Sequence, residues 1–400
     1  MNKYMIFGAM ALLAVAPLSA QRSRSTLNDG WQFTHGDGVT DAAWQQVRVP
    51  HDWAIYGPFD RANDLQTVAV EQNGEKTATV KTGRTGGLPF IGKGSYRSSF
   101  EVADTAGRNI TLVFDGAMSN AQVFVNGSKV CVWPYGYNSF YIDMPAGLLR
   151  PGANDLEVKL ENFERASRWY PGAGLYRNVH VVNTHRIHVP VWGSYITTPR
   201  VGKDYASVHQ RLRIEGAEKG RRVGVRTDIL DPQGRVVATD TATYVAHGQE
   251  FAQNLPVNTP QLWSPESPAL YTAVTRLSVD GREVDSYSTR FGIRSLEYVP
   301  QKGFFLNGEP TKFKGVCNHH DLGPLGAAVN RAALRHQIEL LKDMGANAIR
   351  TSHNMPAPEL VELCDEMGMM LMVEPFADWG FRPQSPHGYG AGVNEWGARG

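Results

Sequence analysis

Three short runs decide the fold: Lys312-Phe313-Lys314-Gly315-Val316-Cys317, Ala346-Asn347-Ala348-Ile349-Arg350 and Met369-Met370-Leu371-Met372-Val373. Each has the length of a strand, and two segments with apolar residues at helical spacing lie between them. In the first, Asn330 is placed to cap a helix whose stripe is Leu334, Ile338, Leu341 and Met344, closed by Gly345. In the second, the stripe is Leu360, Leu363, Cys364 and Met367, closed by Gly368. The order is βαβαβ, which predicts a parallel sheet with right-handed crossovers. The unbroken apolar run from Met369 to Val373 predicts a strand buried on both faces. A closed (β/α)8 barrel takes about 250 residues, whereas 98 run from Gly303 to Gly400. The region is therefore either a small open α/β sheet or the first part of a TIM barrel.

Upstream the period changes. From about Ser25 to Asn183 short alternating runs such as Ile110 to Phe114, Ala121 to Val125 and Leu156 to Leu160 are punctuated by Gly, Asn, Asp and Pro. Asn126-Gly127 joins two of them with the dipeptide that favours a type I′ hairpin. Many short strands with turn signals predict a jelly-roll β-sandwich over residues 21–185. From 186 to 296 the spacing becomes more regular. Val223, Val225, Thr227 and Ile229 share a face before the Asp231-Pro232-Gln233-Gly234 turn, and Val279-Asp280-Gly281-Arg282 reads as another hairpin. About 110 residues of such strands predict an immunoglobulin-like β-sandwich. The chain reads as multidomain, with residues 297–400 forming the α/β part.

Composition agrees with an ordinary folded protein. Of 400 residues, 42% are hydrophobic and 10% aromatic, enough apolar surface to exclude disorder over most of the chain. Forty Lys+Arg against 39 Asp+Glu give a net charge of +1, which supplies no broad field for nucleic acid. Cys131, Cys317 and Cys364 are too few and too scattered for a disulfide framework or a zinc site, so buried free thiols are expected. At the N-terminus Lys3 precedes an uncharged run from Met5 to Ala16, and Pro17-Leu18-Ser19-Ala20 offers small residues for cleavage before Gln21. Residues 1–20 read as a cleaved signal peptide of a secreted or periplasmic protein, the competing reading being an uncleaved anchor. No later segment is long and uncharged enough to span a bilayer, so no membrane span is expected in the mature chain.

Several motifs in order then carry a resemblance. Pro50-His51-Asp52-Trp53, Gly94-Ser95-Tyr96-Arg97, the run from Arg168-Trp169-Tyr170 to Tyr176-Arg177-Asn178-Val179, Leu262-Trp263-Ser264-Pro265 and Phe291-Gly292-Ile293-Arg294 resemble glycoside hydrolase family 2. That family comprises β-galactosidases, β-glucuronidases and β-mannosidases. Phe305-Leu306-Asn307-Gly308, Lys314-Gly315-Val316, Arg350-Thr351-Ser352-His353-Asn354 and Glu374-Pro375-Phe376-Ala377-Asp378-Trp379 continue the likeness. It implies a sugar-binding jelly roll, an immunoglobulin-like domain and a (β/α)8 catalytic barrel, of which this sequence holds the first three strands.

Retaining glycoside hydrolysis needs two carboxyl groups about 5–5.5 Å apart. The resemblance places the acid/base glutamate in an Asn-Glu pair after barrel strand four and the nucleophile near the end of strand seven. Asn394-Glu395 is such a pair, but Pro383, Pro386, Gly388, Gly390 and Gly392 make its approach a loop. Glu395 is therefore read as a loop carboxylate, both catalytic glutamates are expected beyond residue 400, and the 400-residue chain by itself is expected to be inactive. The substrate-binding candidates implied by the resemblance are His319, His353, Asn354, Asp378, Trp379 and Arg168. Three alternatives stay open: His320 in place of His319 as the inward histidine, Asn354 as a helix cap, and Trp169 and Tyr170 as either sugar-stacking or interface residues. Glu374 is expected to pair with a basic neighbour such as Arg350. Gly380 stands where metal-binding members have a histidine, and neither a metal nor another cofactor is expected. The reading is an exported retaining β-glycosidase, a β-galactosidase first, with β-glucuronidase or β-mannosidase specificity open. The rival from another class is a non-catalytic carbohydrate-binding protein. Partners are an oligosaccharide or β-galactoside, with homo-oligomerisation left open.

Overall fold

The computed structural model describes residues 22–38, 43–60, 62–63, 65–68, 79–82, 90, 92–163, 169–248 and 250–375. The expected signal peptide lies outside them, as do Arg168, Asp378, Trp379 and Glu395.

The first sandwich packs two antiparallel sheets. One has six strands in the order Gln45–Val47, Trp31–His35, Lys93–Val102, Gly152–Glu161, Ala121–Val125 and Ser128–Trp133. The other has four, in the order Ser23–Thr26, Val179–His185, Arg108–Phe114 and Phe140–Asp143. Alternation decides which face is inside: Ala121, Val123 and Val125 are fully buried while Gln122 and Phe124 are half-buried. Trp31, Tyr96, Leu112, Phe114 and Leu156 fill the core. At the Asn126-Gly127 turn both residues have positive φ, 48° and 78°, as a type I′ hairpin requires.

The second sandwich has seven strands. Ser194–Val201, Tyr205–Leu212 and Phe251–Asn258 face Val236–Val245, Arg222–Leu230, Tyr271–Val279 and Arg282–Phe291. Its core is divided by a buried polar layer, in which Thr227 Oγ1 donates to Gln253 Oε1 (2.8 Å) and Gln210 Nε2 to Thr275 Oγ1 (3.1 Å).

After a small antiparallel meander (Leu296–Val299, Gly303–Leu306, Glu309–Pro310) come the three parallel strands Gly315–Asn318, Ala348–Thr351 and Met370–Val373, paired in sequence order. They are joined by α1 (Arg331–Asp343) and α2 (Pro358–Met367). Asn330 accepts from the Ala333 amide at 3.0 Å as the cap of α1, and Gly368 closes α2 in the left-handed conformation, φ 72°. Leu334, Ile338, Ile349, Leu363, Cys364 and Met369 form the core between sheet and helices.

Two expectations are corrected here. The third strand is buried on both faces only at its start: Met369, on the helix side, and Met370, on the inner side, are buried, whereas Met372 and Val373 on the same two faces are 55% and 43% exposed. The helices cover one side of the sheet, and in a closed barrel the other side packs against inward-facing residues of the remaining strands. For the same reason Cys317, on that inner face, is exposed; Cys131 is half-buried and only Cys364 is the buried thiol expected. Among the described residues no helix is long and apolar enough to cross a membrane.

Candidate active site

The carboxyl ends of the three parallel strands converge on one mouth. The first strand delivers His319, the second delivers Ser352, His353 and Asn354, and the third delivers Glu374. His353 Nδ1 lies 2.8 Å from Glu374 Oε2, and Arg350 Nε donates to Glu374 Oε1 at 2.6 Å. A carboxylate only accepts, so the hydrogen of His353 sits on Nδ1. The longer contact of Arg350 with the same nitrogen, 3.4 Å, is the weaker claim on it. In the neutral ring Nε2 is then an acceptor. His319 Nδ1 in turn lies 3.0 Å from the Ser352 carbonyl oxygen, which fixes that ring by the same reasoning.

The first sandwich reaches into this mouth. Trp169 stacks on His319, centroids 5.3 Å apart and planes 18° off parallel, and tilts against His353 at 5.4 Å. Its indole N–H donates to Tyr137 Oη at 3.1 Å, and Tyr135 Oη donates to the Pro375 carbonyl at 3.1 Å. Trp169 is 9% exposed, so its ring is spent on packing sandwich against barrel. Tyr170 is also an interface residue: its hydroxyl donates to Asp52 Oδ2 at 2.6 Å.

Asp52 is the contact that sequence reasoning missed, although its motif had been singled out. Its buried carboxylate also accepts from the amides of Ala54 (3.0 Å), Ala173 (2.9 Å) and Ala327 (2.8 Å). It thereby ties the jelly roll, the 170–173 loop and the loop leading into α1 to one point. Burial pushes this carboxyl above its usual range, while the four donated bonds pull the other way. Gly172 supplies the room: at φ +67° its missing Cβ would meet both Asp52 and Ala327. Arg177, 1% exposed, makes a second tie, donating to the carbonyls of Asp115 and Tyr137 in the jelly roll and of Met355 beyond the second strand.

The structure brings the candidates His319 and His353 together, ring centroids 5.6 Å apart. His319, not His320, faces the mouth; His320 is turned inward, its Nε2 3.0 Å from the Pro171 carbonyl oxygen. Asn354 lies behind the mouth, 2% exposed. It does not cap α2, whose N-cap position is Ala357 with no side-chain cap bond. Glu374 pairs with Arg350 as expected and with His353 besides. Among the described residues no cluster of three or more His, Cys, Asp or Glu has metal-binding geometry.

The model of glycosyl hydrolases family 2 matches residues 189–294, and the model of that family's TIM barrel domain matches 298–381. Over 393 residues the chain is 40% identical to the β-galactosidase BoGH2A of Bacteroides ovatus. The chain belongs to glycoside hydrolase family 2. That alignment covers 95% of this chain and 44% of the relative. A β-glycosidase from Bacteroides vulgatus superposes with a TM-score of 0.82 at 31% identity, over 94% of this chain and 47% of the other. A β-glucuronidase from Bacteroides uniformis does so at 0.76 and 26%, over 94% and 44%. This family 2 chain therefore spans under half the length of these relatives. Its architecture is the family's two β-sandwich domains followed by the start of the TIM barrel. The family motifs now have a physical meaning as joints. Trp263 donates its indole N–H to the Asp365 carbonyl at 2.9 Å, and Asn307 Nδ2 donates to the Trp263 carbonyl at 3.0 Å, locking the second sandwich to the barrel.

Proposed function

We propose that this chain carries the sugar-binding face of an exported, retaining β-glycosidase that removes terminal β-linked galactose. The observation that supports it is the His353–Glu374 bond, which fixes the ring and sets Nε2 as an acceptor at the carboxyl end of a barrel strand. An acceptor of this kind suits a sugar hydroxyl and disfavours the carboxylate of a uronic acid. Arg350 is engaged by Glu374, so its charge is already answered. The 40%-identical relative that is a β-galactosidase points the same way. Export rests on the leader-like residues 1–20.

The two catalytic carboxyl groups belong, on this reading, to barrel strands four and seven. The described residues contain strands one to three. Turnover that disappears in Glu395→Gln would overturn that placement. Saturation-transfer NMR with methyl β-D-galactoside tests the binding face. Transfer that is present in the wild type and lost in His353→Ala supports it, and a preference for methyl β-D-glucuronide would replace it with the glucuronidase reading.

A further inference from the structure

Behind the mouth, where the first two parallel strands meet the jelly roll, lies a small chamber lined by Tyr176, Arg177, His320, Ile349, Ser352 and Asn354, among others. It leaves about 30 Å³ for the centres of water-sized molecules, and one water needs roughly 10–15 Å³ by that measure. Four buried polar atoms belong to its lining residues and have no partner in the protein: His320 Nδ1, Ser352 Oγ, Asn354 Nδ2 and Arg177 Nε. Arg177, Ser352 and Asn354 are each 98–99% buried (1%, 2% and 2% exposed), so bulk solvent does not serve them.

The chemistry of these atoms specifies what fills the space. His320 Nε2 faces the Pro171 carbonyl at 3.0 Å, and a carbonyl only accepts, so the ring hydrogen is on Nε2. Burial lowers the His320 pKa to about 3, which keeps the ring neutral and leaves Nδ1 a bare acceptor. Asn354 Nδ2 and Arg177 Nε are donors, and the Ser352 hydroxyl can do either. One acceptor, two donors and one group of either kind match the two O–H bonds and two lone pairs of water. The guanidinium of Arg177 disfavours a cation, the bare Nδ1 disfavours an anion, and the volume is too small for a sugar.

We propose that the chamber is a water-binding site, in which one molecule accepts from Asn354 Nδ2 and Arg177 Nε and donates to His320 Nδ1 and Ser352 Oγ. Its ligands flank the mouth histidines in sequence: His320 follows His319, while Ser352 and Asn354 bracket His353. The Ser352 carbonyl also receives His319 Nδ1. The water therefore sits behind the mouth, in a chamber that His319 also lines.

A crystal structure of the unliganded protein tests this at a resolution where neighbouring surface waters are ordered. The expected result is a water within about 3.2 Å of His320 Nδ1 and of at least two of the other three atoms. A chamber without density, or one closed by a direct bond from Ser352 Oγ or Asn354 Nδ2 to His320 Nδ1, would overturn the proposal. In solution, histidine-labelled protein should show His320 as the Nε2–H tautomer with a cross-relaxation signal between its Hε1 and a long-lived water. Asn354→Leu should abolish that signal; if this variant does not fold, Ser352→Ala should weaken it at least twofold. The Nδ1–H tautomer, or a signal unchanged in the folded variant, counts against the site.

Discussion

The bond from His353 Nδ1 to Glu374 Oε2, 2.8 Å long, links the end of the second parallel strand to the end of the third. It joins two loops that the sequence separates by 21 residues. It also settles which nitrogen of His353 can meet a hydroxyl.

Replacing Glu374 by Gln removes the negative partner with little change of shape. Methyl β-D-galactoside binding should weaken about tenfold, the order expected for one lost charge-assisted bond. Stability should move little, because both side chains are partly exposed, 24% and 22%, and water screens the pair. Calorimetric titration beside a melting curve checks both. Unchanged affinity would show that Glu374 does not position the ring.

Asp52→Ala should be strongly destabilising, because this carboxylate is 1% exposed. Three backbone amides and the Tyr170 hydroxyl lose their acceptor at a buried joint. At about 1–3 kcal/mol for each unsatisfied buried group, with partial relaxation, the loss should be at least 3 kcal/mol in urea unfolding. Proteolysis should become faster around Gly326, where the loop is held by this carboxylate. A cost below about 1 kcal/mol would mean that the joint is held elsewhere.

Acid should weaken the protein through its buried histidines. Burial lowers the His320 pKa to about 3, and burial together with the nearby His35 charge lowers that of His51 to about 4. The unfolded chain titrates these groups near 6.5, so between about 6.5 and 4 it binds protons that the folded chain refuses. Their stability contribution is complete above pH 6.5 and is lost as pH falls. The slope is up to about 1.4 kcal/mol per pH unit for each group. Asp52 and Glu359, pushed upward by burial, act in the opposite sense, so the comparison is between wild type and His320→Gln. The variant should lose less stability between pH 7 and pH 4.5. Parallel curves would remove His320 as a contributor.

Local rules carried the fold a long way. Period-two alternation, Asn126-Gly127 and Asp280-Gly281, whose φ values are all positive, marked the hairpins; Asn330 and Gly368 marked helix ends. They failed where burial depends on distant elements. Nothing near Met372 and Val373 reveals that burial ends at Met370, and nothing near Cys317 tells which side of its strand lacks cover. Alternation put Thr227 on one face with Val223, Val225 and Ile229, but the polar layer it forms with Gln210, Gln253 and Thr275 was invisible, because its partners lie on other strands. In the site, the family resemblance pointed to His319 and His353 at strand ends, whereas the inward turn of His320 and Asn354 comes from packing against the jelly roll. The Asp52 joint pairs residues up to 275 apart in sequence, a relation no window of the chain contains.

The ring of His353 offers the most direct measurement. Protein labelled with 15N in histidine is titrated at pH 8, above the ordinary imidazole range, with methyl β-D-galactoside and separately with methyl β-D-glucuronide. The His353 Nε2 resonance should move on adding the galactoside, move much less with the glucuronide, and respond weakly to either in Glu374→Gln. A His353 resonance that ignores the galactoside and follows the glucuronide would contradict the hydroxyl-accepting site.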